Sequence, residues 1–475
     1  MIKALLFGMP DSTPRFSVFM SLPSLGLASL AGNVDPTVCD VKIADLFPVR
    51  HRWEDYVRNL LKEQSPDIVG LSFMSFQCSN ALKTAKMIKE YDSKILIVMG
   101  GYHPSLMYEE IAESPDSHFI DFIVRGEGEA TFRELVNALN SGTGYENILG
   151  LSYKANGTFI HNSSRELLSL DSIQLPDRNA RLITKGFSIF DMSSDGVETS
   201  RGCTYNCKFC SINKMYGRSF RTYEINRIIA DIKDAQKHGI KALVITDDNI
   251  TLDLERLETL CEEIIASKLN TMHYIVQATV KGIAHSDQLV KKMADAGVKM
   301  VFLGIESYSR TELDFLRKKS STEEDTRKAV KYLRDNNIIS WGGFIVGKPD
   351  DDEKSLWDTY NFAWELKLDM PAFSILTPYV KTEIREELIE MGLVTNIDNF
   401  DNYEALTANV RTKHLTSQDI ERILEKMYFA YLVNPRFLFF TNIRKLYPKY
   451  FWKTIIQQIH PVILTLMGKQ IENER

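Results

Sequence analysis

The chain has 475 residues, of which 44% are hydrophobic and 25% are charged, and its formal net charge is −6. This length allows two or three domains with separate cores, and the composition is ordinary for a soluble protein. A net negative charge gives no reason to expect a nucleic-acid partner. No apolar run is as long as a membrane-spanning helix, and the apolar start Met1–Phe7 ends too early for a secretory signal. We therefore expect a cytoplasmic protein.

The first region, residues 1–147, alternates between strand-length and helix-length patterns. Ser79–Tyr91, for example, places Leu82, Ala85 and Ile88 on one helical face. Such alternation predicts an α/β fold with a doubly wound parallel sheet, in which ligands bind beyond the carboxyl ends of the strands. The predicted strands are Ile2–Met9, Val41–Leu46, Asp67–Met74, Ile95–Met99 and Phe119–Val124.

Three loops that follow these strands form the candidate binding edge. Paired glycines such as Gly100 and Gly101 let the backbone approach a large flat ligand closely. Each loop alone is a weak signal, because glycine turns after strands are common. The candidate contact residues are Ser72, Met74, Gly100, Gly101, His103, Gly126 and Glu127.

Residues 148–196 connect this region to the next. Ile148–Tyr153 and Thr158–His161, separated by Ala155-Asn156-Gly157, predict a β-hairpin. The remainder is predicted to be a linker, and we infer no chemistry there.

The most informative stretch is Arg201–Cys210, which carries Cys203, Cys207 and Cys210. Cysteines at this spacing fit one tight loop that can aim three thiolates at a single metal centre. An iron–sulfur cubane normally takes four thiolates, so three leave one iron open. Such an iron can hold the amino and carboxylate groups of S-adenosylmethionine and reduce its sulfonium. We therefore predict that these cysteines bind a [4Fe–4S] cluster.

Two simpler interpretations compete with the cluster. A structural zinc site needs a fourth ligand, but the nearest downstream candidates, His238 and Cys261, lie in helix-like runs. A disulfide would leave an odd thiol and is typical of secreted chains. The other cysteines, Cys39, Cys78 and Cys261, lie singly in regular segments and are not expected to bind metal.

The alternation resumes in residues 197–390. Six strands joined by helices predict a partial (β/α)6 barrel, whose open side can admit a large substrate. The predicted strands are Val197–Ser200, Ala242–Thr246, Tyr274–Ala278, Met300–Ile305, Ser340–Val346 and Ala372–Thr377.

Chemistry in α/β barrels sits at the carboxyl ends of the strands. Asp247 and Asp248 at one such end are suitable acceptors for an ammonium group, and Glu306 at another suits ribose hydroxyls. Glycines such as Gly343 allow backbone contact with an adenine edge. The alternative for Asp248 and its neighbour is helix capping, since they precede a predicted helix.

The last region, residues 391–475, is rich in aromatic and basic residues. Asn396–Asn409 is polar and turn-rich and is predicted to be a loop over the active site. The aromatic residues that follow have the spacing of amphipathic helices. Capping of the barrel is the favoured interpretation, because scattered aromatics usually belong to a core. Contact with a large apolar substrate or with a membrane surface remains an alternative.

The motif CxxxCxxC with Phe209 before its last cysteine resembles the radical-SAM superfamily. The segments TDDNIT, LGIES, GFIVGKPDD and TPY resemble cobalamin-dependent members, and DIVGLSFMS, GGYHPS and DFIVRGEGEATFREL resemble their cobalamin-binding domain. The resemblance implies a [4Fe–4S] cluster, S-adenosylmethionine and cobalamin as cofactors. It further implies an electron donor such as flavodoxin or ferredoxin. The implied S-adenosylmethionine contacts are Phe209, Asp248, Asn249, Gln277, Glu306 and Gly343, and the candidate residues of the first region become cobalamin contacts.

Three departures from the family pattern qualify this transfer. The Asp-x-His-x-x-Gly motif, whose histidine binds cobalt, is missing; Asp116–Asp121 lacks its glycine, and His118 is expected at the surface. Cobalt should therefore have no histidine ligand from this motif, and loss of the cofactor is the competing interpretation. Lys348 stands where leucine is usual, and Tyr379–Thr382 replaces Tyr-Pro-Gly-Thr; both are expected to alter the cavity rim.

The resemblance favours methylation of an unactivated carbon. Family members act on varied substrates, and the aromatic tail favours a large apolar one, such as a bacteriochlorophyll-type tetrapyrrole or a hopanoid-like lipid. The alternatives are a cobalamin-assisted cyclase or oxidase and a non-enzymatic corrinoid carrier or sensor. A carrier needs no S-adenosylmethionine cleft, which argues against the last.

Overall fold

The structure, a computed structural model, describes residues 1–12, 20–435 and 437–454. Two seven-stranded sheets, each packed against helices, form its framework. The predicted α/β class is confirmed, with one doubly wound unit followed by a curled half-barrel.

The first sheet has the strand order β2-β1-β3-β4-β5-β6-β7. Its first five strands are parallel, as predicted, and the predicted hairpin adds β6 and β7 to the same sheet in antiparallel orientation. The connection therefore begins as part of the first unit. The strands are β1 (Ile2–Gly8), β2 (Cys39–Asp45), β3 (Ile68–Ser72), β4 (Leu96–Gly100), β5 (Phe122–Val124), β6 (Leu151–Ala155) and β7 (Thr158–His161).

Alternate residues of β1 enter two different cores. Leu5 and Phe7 pack on one face of the sheet, and Ala4 and Leu6 pack on the other. Both faces are covered because helices pack on each side of the sheet, which explains the near-continuous apolar strands. The helices of this unit are α1 (Leu25–Gly32), α2 (Trp53–Gln64), α3 (Cys78–Tyr91), α4 (Tyr102–Leu106), α5 (Tyr108–Glu113) and α6 (Gly128–Ser141).

The second sheet has the strand order β16-β15-β14-β13-β12-β9-β8. Six of its strands are parallel, and β8 is a two-residue antiparallel edge. The predicted first strand, Val197–Ser200, was placed too late, because β9 ends at Val197 and Ser200 lies in a separate ribbon of β10 with β11. The strands are β8 (Ser188–Ile189), β9 (Met192–Val197), β10 (Ser200–Arg201), β11 (Arg221–Thr222), β12 (Ala242–Ile245), β13 (His273–Thr279), β14 (Val298–Glu306), β15 (Ile339–Val346) and β16 (Met370–Ile375).

Helices cover the outer face of this sheet, and five of them begin at side-chain caps. The Asp352 carboxylate, for example, accepts a hydrogen bond from Ser355 N at 2.8 Å, which starts α14. The helices are α7 (Ile212–Tyr216), α8 (Ile225–Lys237), α9 (Leu254–Ala266), α10 (Val280–Ala284), α11 (Asp287–Asp295), α12 (Arg310–Phe315), α13 (Glu323–Asp335), α14 (Glu353–Leu366) and α15 (Glu383–Glu390).

The C-terminal helices α16 (Ser417–Val433), α17 (Phe437–Phe440) and α18 (Asn442–Leu446) pack against the half-barrel. Tyr431, Phe437 and Phe451 are buried in its core, as the capping interpretation predicts. Phe439 and Trp452 are exposed. No helix among the described residues is long and apolar enough to cross a membrane. Arg436 and the predicted tail beyond residue 454 lie outside the described residues.

Candidate functional site

The cysteine loop joins β10 to α7. Gly202 opens it with φ of +91°, and a Cβ there would lie 2.4 Å from the carbonyl oxygen of Ser219, so no other residue fits without a shift. The three thiols are partly exposed. Burial raises the pKa of Cys207 to about 11 and that of Cys210 to about 12, so they are neutral until a metal deprotonates them.

All six cysteines are free thiols, which removes the disulfide interpretation. Within the described ranges no three His, Cys, Asp or Glu side chains are close enough to share one metal ion. His238 instead bonds the carbonyl of Asp234 at 2.9 Å, and Cys261 is buried in α9. Cubane thiolates bind different iron atoms, so this loop suits a cluster better than a single zinc ion.

Lys318 is a site residue that the sequence analysis missed. Its Nζ donates to Glu306 Oε1 at 2.8 Å, and both side chains are 11% exposed. Burial alone would lower the pKa of Lys318, but Glu306 and the neighbouring thiols of Cys207 and Cys210 together raise it. The basic partner of Glu306 is thus Lys318 and not the nearer residue in sequence, Arg310, which pairs with Asp314. The sequence signal that could have identified Lys318 is its place in the segment RKKSS, which follows GIES along the chain.

Glu306 has φ of +67°, at a register shift between β14 and β15. A left-handed non-glycine residue on a strand is strained and persists only where its surroundings hold it. Here the bond to Lys318 and the barrel wall provide that support. The geometry places one carboxylate oxygen against Lys318 beside the cysteine loop.

Asp247 and Asp248 have different environments. Asp247 is fully used by the β9–β10 turn, where it accepts from Thr199 N at 2.6 Å and Ser200 Oγ at 2.6 Å, so it is not free to accept an ammonium. Asp248 accepts from Gly202 N at 2.9 Å, and burial raises its pKa to about 6. It is therefore tied to the cysteine loop, and the capping alternative is wrong for it.

Asn249 does cap, as the alternative proposed, because its Oδ1 accepts from Thr251 N at 3.1 Å. Its Nδ2 is buried and has no hydrogen-bond partner among the described residues. Asn249 also lies beside Cys203, whose pKa it lowers against the larger effect of burial. An unsatisfied buried donor beside the cluster loop is the kind of group that a bound ligand completes.

The strand register places Gln277, Phe302, Trp341 and Met370 side by side on one face. Gln277 is exposed on that face. Gly343 lies one row further along, and a Cβ there would be 2.7 Å from Phe302 Cζ, so ring packing alone requires glycine. Phe209 is half-buried against the same core. The structure thus brings Gln277 and Gly343 to the inner face of the half-barrel.

The glycine loops of the first sheet line a cavity of about 230 Å³, here called the interdomain pocket. Gly101 has φ of +95°, and a Cβ there would be 3.0 Å from Phe73 N and Ser72 Oγ. Gly126 also has positive φ, with open space where a Cβ would point. The predicted contacts that line this pocket are Ser72, Gly100, Gly101, Gly126 and Glu127.

Two histidines of this unit were candidates. His103 is 2% exposed, its Nδ1 lies 3.0 Å from Ser75 Oγ, and its ring packs against Phe400 of the predicted 396–409 loop. Burial lowers the pKa of His103 to about 4, so it is neutral. It lines neither cavity, unlike the other first-sheet candidates. His118 is exposed, as expected.

Glu127 is engaged in an ion network that joins the two units. Arg201, directly before the cysteine loop, donates to Glu127 at 2.9 Å, to Glu129 at 2.7 Å and to Glu198 at 2.9 Å. Arg221 adds a second bond to Glu127 at 2.8 Å. Arg201 is 7% exposed, so these are buried pairs. The network fixes the Gly126 loop against the cysteine loop.

The second cavity, here called the chamber, has a volume of about 860 Å³. Its walls combine strand ends of the first sheet, such as Ser72 and Met74, with Trp341 and Met370 of the half-barrel and with the C-terminal helices. Ser72 and Tyr102 line both cavities, so the pocket and the chamber adjoin. A ligand with a flat ring and an extended tail suits this pair.

One departure did not have the expected effect. Lys348 is buried and pairs with Asp351 and Glu312 at 3.1 Å each, and it lines neither cavity. Tyr379 does line the chamber. Lys381 reaches across to Glu110 of the first unit.

The donor set fits the implied cofactors. Three adjacent thiols, Asp248, and the unsatisfied amide of Asn249 suit a cluster and an amino-acid ligand. Glycine-lined walls at Gly101 and Gly126 allow the close backbone approach that a large ring ligand requires.

Comparisons with known proteins agree with this geometry. The model of the radical SAM superfamily matches residues 197–363, and that of the B12 binding domain matches residues 15–136. An uncharacterized methyltransferase of Pyrococcus horikoshii is 33% identical over 424 residues, covering 88% of this chain and 89% of that protein. The anaerobic magnesium-protoporphyrin IX monomethyl ester cyclase of Rubrivivax gelatinosus is 26% identical, covering 87% and 73%. The hopanoid C-3 methylase of Methylococcus capsulatus is 24% identical, covering 79% and 70%.

Solved structures share the fold. The cobalamin-dependent S-adenosylmethionine radical enzyme OxsB, with aqua-cobalamin and S-adenosylmethionine bound, aligns at a TM-score of 0.71 and 17% identity, covering 99% of this chain and 76% of that one. The radical S-adenosylmethionine methyltransferase TsrM of Kitasatospora setae aligns at 0.69 and 19% identity, covering 82% and 76%. The cofactors of the present chain are a [4Fe–4S] cluster, S-adenosylmethionine and cobalamin. With its B12-binding unit ahead of a cysteine-bearing half-barrel, the chain belongs to the cobalamin-dependent radical SAM family.

Proposed function

We propose that this enzyme transfers a methyl group to an unactivated carbon of a large apolar substrate, of the polycyclic lipid or bacteriochlorophyll-type tetrapyrrole class. The observation that carries the proposal is the chamber, because its walls come at once from the cobalamin-binding edge and the half-barrel. A substrate held there is within reach of both cofactor sites.

When bound, the cluster and S-adenosylmethionine supply a radical that removes hydrogen, and cobalamin supplies the methyl group. The protein's own contribution is to bind, orient and shield. Cys203, Cys207 and Cys210 hold the cluster. Phe209 directly precedes Cys210 in the loop and lies at the edge of the core, where it shields the adenine.

Three polar groups orient the methionyl part of S-adenosylmethionine. Asp248 accepts from its ammonium group, and Asn249 Nδ2 and Lys318 Nζ donate to its carboxylate. The support for this assignment is their common position beside the cysteine loop. Glu306 accepts from one N–H of the Lys318 ammonium group, and an ammonium group has two further N–H donors that can bind a carboxylate.

Glu306 Oε1 binds Lys318, and Oε2 has no partner among the described residues. We assign Oε2 of Glu306 to the ribose hydroxyls. We assign the exposed amide of Gln277 and the backbone of Gly343 to the adenine side. Ser72, Met74, Gly100, Gly101 and Gly126 contact cobalamin. Glu127 acts on this site through Arg201, and His103, which is buried, neutral and bonded to Ser75, is not a cobalt ligand.

An electron donor such as flavodoxin or ferredoxin completes the reaction. Exposed aromatics near the chamber helices, Phe439 at 73% and Trp452 at 47%, support transient contact with a membrane surface. Such contact would let an apolar substrate enter without crossing water.

The deciding experiment uses the anaerobically reconstituted enzyme with S-adenosylmethionine, a reductant and an apolar extract of its own organism. We expect S-adenosylhomocysteine, 5′-deoxyadenosine and a product heavier by one methyl group. A product of unchanged carbon count would favour the cyclase alternative. Cofactor binding without S-adenosylmethionine cleavage would favour a carrier.

A further inference from the structure

The chamber wall carries no described cation. Among its lining residues within 1–12, 20–435 and 437–454 there is no Lys, Arg or His, whereas four carboxylates are present. Arg50 lies behind this wall, with its guanidinium 4.7 Å from the ring centroid of Phe47, which does line the chamber. Among the described residues of this wall, an anionic ligand would therefore meet carboxylates and no cation.

All four carboxylates accept hydrogen bonds from the protein itself. Asp45 accepts from Ser24 N at 2.9 Å and from Phe47 N at 3.2 Å. Asp369 accepts from Ser340 N at 2.9 Å and from Thr441 Oγ1 at 3.0 Å. Such carboxylates hold turns and helix starts, so they are not available to a cationic ligand.

The other two acids lead to the same conclusion. Glu404 accepts from Leu406 N at 2.6 Å and Thr407 N at 3.0 Å. Asp11 accepts from Gln77 at 2.8 Å, and burial raises its pKa. A raised pKa reports an environment that disfavours charge, here in the chamber wall.

Two tyrosine hydroxyl groups of the wall are also bonded to the backbone. Tyr431 OH donates to the carbonyl of Leu368 at 2.6 Å, and Tyr428 OH donates to that of Phe373 at 3.0 Å. What these side chains offer a ligand is their ring surface. Together with Trp341, Met370 and Phe451, they present a wall of aromatic and thioether groups.

We propose that the chamber selects an uncharged, mainly hydrocarbon lipid, and that it rejects anionic substrates of equal size; the proposal rests on the methyltransferase function above. An ion buried there would lose its hydration without gaining a partner. A neutral polycyclic ring system loses little on leaving water and gains from buried apolar contact. The substrate is therefore expected to carry neither a carboxylate nor a phosphonate group.

The test compares a neutral ligand with its anionic derivative; the methyl ester of that derivative, which has nearly the same size and no charge, is the size control and should bind like the neutral ligand. Binding of a triterpene alcohol and of its hemisuccinate, both dispersed in neutral detergent micelles, is measured by equilibrium dialysis with the reconstituted holoenzyme. We expect the hemisuccinate to bind at least ten-fold more weakly than the alcohol. Equal or tighter binding of the hemisuccinate, or binding of neither compound, would overturn the proposal.

A variant with a cation in the chamber wall tests the same selectivity a second time. Met370→Lys puts a cation into the chamber and should shift the ratio at least ten-fold toward the hemisuccinate. Met391→Lys adds the same charge at an exposed position outside the chamber and should leave the ratio unchanged. An identical ratio in all three proteins, with melting curves showing that each is folded, would also count against the proposal.

This readout is independent of catalysis. If the alcohol binds selectively but no methylated product forms with S-adenosylmethionine and reductant, the proposed methyl transfer fails while the selectivity stands. If the anion binds equally and is methylated, the function stands and the selectivity fails.

Discussion

The two cavities of this enzyme adjoin at Ser72 and Tyr102 but differ in how they use charge. The interdomain pocket is small and bordered by Glu127, Glu129, Glu198 and Arg201, whose charges bind one another across the two units. The chamber is larger and its charges are directed into turns.

The difference shows that ionic groups here serve architecture, while ligand contact is left to glycine backbone and to apolar surface. The paired charges of the pocket hold the cofactor-binding loops in position. The neutral substrate that we propose would need no such fixed charge in the chamber, because shape and apolar contact suffice to bind it. The tests that follow begin with the cysteine loop and continue with the charges of the two units.

Replacing Cys203, Cys207 and Cys210 together by alanine should abolish cluster iron. The physical reason is that the cubane would lose its three thiolate ligands. Iron and sulfide content after anaerobic reconstitution is the measurement. The matched control replaces Cys39, Cys78 and Cys261 by serine and should retain the iron; undiminished iron in the alanine variant would contradict the assignment.

Arg201→Met should lower the free energy of unfolding by about 3–5 kcal/mol, because it leaves buried carboxylates without their partner. Chemical denaturation of the protein measures this loss. Arg310→Met breaks an exposed pair with Asp314 and should cost at most ~1 kcal/mol. Equal costs for the two variants would show that the pocket network is not a structural clamp.

His103 should make stability depend on pH. Its pKa is about 4 in the folded protein, below the ordinary 6.5, so the unfolded chain binds more protons between these values. Stability should therefore fall as pH drops from 6.5 to 4, by about 3 kcal/mol in total. Unfolding curves at several pH values should show a smaller drop in His103→Gln, whereas His118→Gln should behave like wild type.

Glu306→Gln should weaken S-adenosylmethionine binding by about 1–3 kcal/mol, the cost of spoiling a charged hydrogen bond. Calorimetric titration of the reconstituted enzyme, beside a melting curve, separates binding from folding. Glu323→Gln, in the exposed first turn of α13, is the control. A lower melting temperature with unchanged affinity would assign Glu306 to structure alone.

The last prediction is that a substitution at His103 leaves the cobalt spectrum unchanged. Electron paramagnetic resonance of the cob(II)alamin form should show no nitrogen superhyperfine coupling, and His103→Ala should leave the spectrum unchanged. Nitrogen coupling that disappears in that variant would show that His103 is a cobalt ligand after all.

The fold was predictable because its signals are local. Strand–helix alternation predicts both sheets, and buried strands such as β1 read as continuous apolar runs because both faces are covered. The error at Val197–Ser200 arose where the chain leaves β9 for a short ribbon, since ribbon and strand have the same composition.

The candidate site was only partly predictable. Spacing alone predicts the cysteine loop, but the ion pair of Lys318 with Glu306 and the network of Arg201 depend on contacts between distant segments. Asp247 and Asp248 have the same chemistry and are adjacent in sequence. Only the structure shows that Asp247 is bound by Thr199 and Ser200 of the β9–β10 turn, whereas Asp248 accepts from Gly202 N of the cysteine loop.

The Arg201 network has a consequence for the design of chimeric enzymes. Cobalamin-binding units look interchangeable, because they precede the half-barrel as a separate stretch of sequence. Here Arg201 and Arg221 of the half-barrel require Glu127 and Glu129 from the first unit. A transplanted unit would need both carboxylates at the same loop positions. A chimeric enzyme should therefore keep these two arginines and two glutamates together, whatever the origin of the rest of each domain.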